Sequence, residues 1–104
     1  MEELHRELAR LITHTGHWGP ARWAMPAAGG NGATRAEYTH ALVQRLADRL
    51  ADVEGEPRRR VPRLDNDLAI LDQVRVMVAD LARGGDESVA AAGAADVAAT
   101  RRAL

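Results

Sequence analysis

Cysteine, lysine and phenylalanine do not occur in this sequence, and each absence removes a class of explanation. Without cysteine there are no disulfides, thiolate zinc sites or cysteine nucleophiles, and nothing marks a redox compartment. Without lysine, all 14 basic side chains are arginines. Arginine suits bidentate contacts to carboxylate or phosphate, although GC-rich coding accounts for the bias more cheaply. Without phenylalanine, the core must come from Leu, Val, Ile and Ala, with two tryptophans and one tyrosine as the only large rings. Charge of one sign is also missing: 15 carboxylates against 14 arginines leave a formal charge of -1. No whole-molecule field therefore draws the chain onto nucleic acid or an anionic membrane. No apolar run approaches the roughly 18 residues of a membrane span. The stretch from Met1 to Glu7 is acidic and amphipathic, unlike a signal peptide, so the cytoplasm is the expected location.

What is present is helical rhythm. At 104 residues the chain is expected to form one domain, 1-104, around one core. Leu4, Leu8, Leu11 and Ile12 share a stripe at the 3.6-residue period and predict a helix over 2-15, with Gly16 as a left-handed stop. Thr34 to Glu37 reads as a capping box opening a helix over 35-54 that Gly55 closes. Its apolar face carries Tyr38, Leu42, Leu46, Leu50 and Val53; Glu37, Gln44, Asp48 and Asp52 cover the other. Ile70, Leu71, Val74, Met77, Val78 and Leu81 predict a helix over 67-83, capped by Asn66 or Asp67, with Leu68 and Val76 off the stripe. A last helix, 87-103, starts from Asp86 or Ser88 and has only a thin stripe of Val89, Gly93, Val97, Thr100 and Leu104. Gly93 there permits close backbone approach, and the underfilled face suggests fraying or packing on a second subunit. Strand alternation and internal repeats are absent. The predicted fold is all-α: a small four-helix bundle of antiparallel helices, with a long Trp-containing loop, 16-33, and an Arg-rich connector, 55-65.

Both tryptophans sit on the loop, in His17-Trp18-Gly19-Pro20-Ala21-Arg22-Trp23-Ala24-Met25-Pro26. Two placements are open. The indoles close an end of the bundle in place of the missing phenylalanines, or Trp18, Trp23 and Met25 face a partner with Arg22 and His17 beside them. Ala27 to Gly32 reads as a flexible tether.

The one basic cluster, Arg58, Arg59, Arg60 and Arg63, is bracketed by Glu54, Glu56, Asp65 and Asp67. It reads as a solvated or partner-facing connector, with nucleic-acid phosphate as the sharper alternative. His14 and His17 lack the set of ligands a metal site needs, and the glycine between them interrupts the helix that would align them. Asp65, Asp67 and Asp72 read as cap and surface residues, and no catalytic signature occurs. Neither metal nor cofactor is expected.

The leading functional expectation is a small non-enzymatic interaction module. Its contacts would be Trp18, Trp23, Met25, Arg22 and Val76, together with a face formed by the third and fourth predicted helices (67-83 and 87-103), its partner another protein or a second copy in a homodimer. A nucleic-acid accessory protein using Arg58 to Arg63, and a small-molecule binder with a pocket under the Trp loop, are the alternatives.

Overall fold

The computed structural model describes residues 1-104 and is all-α, with five helices and no strand. They are α1 (Glu2–Thr15), α2 (Pro20–Trp23), α3 (Arg35–Glu54), α4 (Ile70–Gly84) and α5 (Glu87–Arg102); a 3-10 turn (Asp67–Ala69) leads into α4. No helix is long and apolar enough to cross a membrane.

Local chemistry sets the ends. The Thr34 hydroxyl accepts from Glu37 N–H at 3.0 Å while the Glu37 carboxylate accepts from Thr34 N–H at 2.8 Å, so both halves of the capping box are made. Asn66 and Asp86 cap the 3-10 turn and α5 more simply, each side chain accepting one backbone N–H, from Leu68 and Val89. Gly55 ends α3 at φ 69°, left-handed as expected. Gly16 does not: its φ of -64° keeps it right-handed, and it is glycine because a Cβ would lie 2.6 Å from the Ile12 carbonyl oxygen.

The long helices do not alternate in direction as an antiparallel bundle requires. Leu4 approaches Gly93 and Glu7 approaches Arg101, so α1 and α5 run parallel. Arg45 donates to Thr100 and Arg49 to Asp96, so α3 and α5 run antiparallel. Leu50 lies over Gly84, while Gln44 and Gln73 hold adjoining parts of one connector, so α3 and α4 also run parallel. The physical reason is the connector: instead of turning at the end of α3, it runs back along the helix before α4 begins.

The thin stripe of α5 is packed through small residues. Its buried face is Ala90, Gly93, Ala94, Val97, Ala98 and Thr100, and small side chains bring the helix close to its neighbours. A Cβ on Gly93 would lie 2.7 Å from Leu81 and 3.5 Å from both Leu4 and Leu46. The thin stripe is thus filled from the other three long helices within one chain.

The indoles take the inward placement. Trp23 is 1% and Trp18 7% exposed, within the same core cluster as Leu4, Leu11, Leu42 and Val74. The turn of α2, begun by Pro20, carries Trp23 inward. The tether is also ordered: Arg35 N–H donates to Met25 O at 2.8 Å, Ala27 N–H to Ala33 O at 3.0 Å and Ala28 N–H to Ala103 O at 2.9 Å. Ala27 is buried beneath this closed loop.

Gly93→Val is expected to destabilise the fold by about 3 kcal/mol through overpacking, read from urea denaturation. Gly93→Ala should lose less, because about 1 kcal/mol of helix propensity offsets part of the clash. A valine variant as stable as the parent would contradict this packing.

Candidate functional site

The connector forms an extended strap, residues 55-66, laid on the polar face of α3. Gln44 clamps its middle: Gln44 Nε2 donates to Arg59 O at 2.9 Å, and Val61 N–H donates to Gln44 Oε1 at 2.8 Å. Gln73 Nε2 reaches the strap from α4 and donates to Pro62 O at 3.1 Å. Pro57 and Pro62 favour the extended backbone that makes such clamping fit.

Arginines fix the strap at each side of the glutamine clamp. Arg58 makes a two-pronged bond to Asp52, at 3.0 and 2.7 Å. Arg63 bonds Asp67 at 2.6 Å and approaches Glu37 at 3.9 Å. The electrostatics follow. Bonding to Arg58 holds the Asp52 carboxyl below the usual carboxylate range and pushes the Arg58 guanidinium up. The Thr34 cap holds Glu37 down. Between Asp96 and Arg49 the same pairing raises the arginine. Each shift belongs to a cap or an ion pair that shapes the fold. Half of the Arg cluster is therefore internally engaged, while Arg59 and Arg60 have no carboxylate within ion-pair distance. They line an open polar groove of about 550 Å³ with His40 and Arg45 and with the carboxylates Glu37 and Asp48.

Seating the strap creates an apolar groove of about 400 Å³ between it and α4. Val61 and Leu64 form one wall, Ala69, Val76 and Met77 the other, and Val43 is the floor. Leu64 is 47% and Val76 54% exposed; Leu68, beside Ala69 in the 3-10 turn, is 47% exposed. Large apolar groups left this open in one neighbourhood are surface that a partner can remove from water.

The remaining expected contacts fall elsewhere. Trp18 and Trp23 meet edge-to-face with ring centroids 5.1 Å apart, and their burial removes them as direct partner contacts. Of the loop residues expected to face a partner, His17, Arg22 and Met25 are exposed. None of the principal grooves is lined by either indole. Val76 and the Trp loop thus do not form one site. His14 packs edge-on against Trp18, and no three metal-ligating side chains converge. Asp67 and Asp72 are paired with Arg63 and Arg75.

Two functional features escaped sequence reasoning. Gln44 and Gln73 gave no signal, since a glutamine on a polar helix face ordinarily meets water. Glu7 did give one: it lies on the stripe of Leu4, Leu8 and Leu11 and is buried, bonded to Arg10 at 2.5 Å.

The strap pairing has a definite pH signature. Asp52 has a lower value folded than unfolded, so its contribution is complete above the unfolded carboxylate value and fades as pH falls through the folded one. Asp52→Asn should lower the urea midpoint at pH 7, and the gap from the parent should close in acid below the carboxylate range. An equal gap at both pH values would show that the charge of Asp52 does not hold the strap.

No family model matches the chain, and no curated protein or solved structure matches it.

Proposed function

We propose that this chain is a non-enzymatic protein-interaction module that docks its partner in the groove between the strap and α4. The carrying observation is the exposure of Leu64 and Val76 on facing walls of a groove whose floor is the buried Val43. Burial of these groups against a partner is the favourable step, at about 25 cal/mol for each Å² of apolar surface. In this reading the four long helices act as a bundle whose task is to hold the strap rigid. The partner is another protein or a second copy of the chain.

A photo-crosslinking residue at Val76, with Val53 as an exposed apolar control on α3, tests the site in the producing cell. A defined adduct at 76, absent at 53 and lost on Leu64→Asp, is expected. Sedimentation then separates a self-adduct from a different protein. Equal adducts at both positions would remove the groove as the docking surface.

A second reading rests on Arg59 and Arg60, the two strap arginines without carboxylate partners. Their local charge supports a nucleic-acid accessory role. Retention on heparin at low salt, abolished by the Arg59→Gln, Arg60→Gln double variant, is its expected outcome; an unretained parent protein would eliminate it.

A further inference from the structure

Acidic residues are distributed unevenly: between Glu7 and Glu37 the chain has no carboxylate, while Arg10, Arg22, Arg35, His14 and His17 lie in that interval. The fold collects much of this basic material on one face. Arg6, Arg10, Thr13, His14 and His17 follow one side of α1 and its exit, and Arg101 joins them from the end of α5. Together they line an open groove of about 590 Å³ with no carboxylate in its lining. Arg22 extends the face, with Nη1 3.5 Å from His17 Nε2.

Two carboxylates lie near this face. Glu3 bonds Arg6 at 2.6 Å. Glu7 lies beneath the groove with a side chain only 4% exposed; its Oε1 bonds Arg10, while its Oε2 is buried without a hydrogen bond, 3.8 Å from Arg101. Four arginines, Arg6, Arg10, Arg22 and Arg101, thus stand against two carboxylates. The Arg101 Nε is buried without an acceptor. Helix dipoles do not explain the whole arrangement. The negative ends of α1 and α5 favour His14 and Arg101 in their last turns, but the effect fades before Arg6 and Arg10.

We infer that this groove binds a small multiply charged oxyanion of the phosphate class. Guanidinium forks match phosphate oxygens geometrically, and the imidazoles and the Thr13 hydroxyl add donors along the same wall. The volume falls in the range of small-molecule sites. This site lies on α1 and α5, apart from the strap groove, and does not depend on the interaction proposed there.

The test is a titration of the full chain with inorganic pyrophosphate and, separately, glycerol 3-phosphate, followed by NMR of backbone amides and indole N–H groups. Trp18 is a built-in reporter, with His14 edge-on to it at 5.5 Å and Arg22 over its ring at 5.7 Å. Saturable shifts over residues 6-17 and at Trp18 are expected. Binding of both probes assigns phosphate esters; binding of pyrophosphate alone assigns free condensed phosphate. Arg6→Gln with His17→Gln, both at exposed positions, should weaken binding about tenfold while the spectrum stays folded. Arg75→Gln on α4, outside this groove, should leave it unchanged. Absence of shifts with pyrophosphate at about 10 mM, or equal affinity in the double variant, overturns the inference.

Discussion

Gly93 is the point at which all four long helices meet: its Cα face is met by Leu81 of α4, Leu4 of α1 and Leu46 of α3. A Cβ there would displace the end of Leu81 and touch Leu4 and Leu46, so a larger side chain finds no void to enter. The alanines on either side continue the same logic. Small residues bring α5 in, and dispersion with the leucines of its neighbours substitutes for large side chains of its own. The absence of phenylalanine then becomes a question of closure. Leucine and valine fill the middle, and the loop folds Trp23 and Trp18 over the end next to the start of α3. Cation contact finishes that lid, with the Arg35 guanidinium 4.7 Å from the Trp18 ring centroid.

Helix direction follows from chain length. α3 has 20 residues and spans about 30 Å. A parallel α4 requires the chain to return over that distance, and about 12 extended residues reach up to about 40 Å. The strap is therefore long because it is a crossover. This was readable in principle: a connector with two prolines and a dozen residues is poorly suited to a short antiparallel turn. The helices and their caps were legible because period and capping act locally. Relative direction was not, since the same apolar stripes satisfy parallel or antiparallel neighbours.

Legibility of the candidate site divides on the same line. Val76 and Leu68 stood out because an apolar residue off the buried stripe violates the helical pattern, and both are exposed. Leu64 did not, since no period applies in a connector; its meaning depends on the strap meeting α4. The tryptophans were conspicuous by residue type, but type alone cannot separate a core plug from a contact surface. The decisive contribution was the turn of α2, whose start at Pro20 aims Trp23 inward. The basic face on α1 is hidden in the whole-chain charge, which averages the acid-free interval between Glu7 and Glu37 with the carboxylates elsewhere.

Electrostatics and the apolar groove are one construction. The Arg58 and Arg63 pairs and the Gln44 clamp lay the strap down, and only a seated strap brings Val61 and Leu64 opposite Val76 and Met77. Individually exposed pairs stabilise little. Here they act on register instead: release of the strap would preserve the helices but disperse the groove wall. Arg58 holds the proton affinity of the Asp52 carboxyl down, so this pair stays charged across neutral pH. Surface charge in this chain thus sets the geometry of an apolar surface, which is why the polar face of α3 and the exposed face of α4 must be read together.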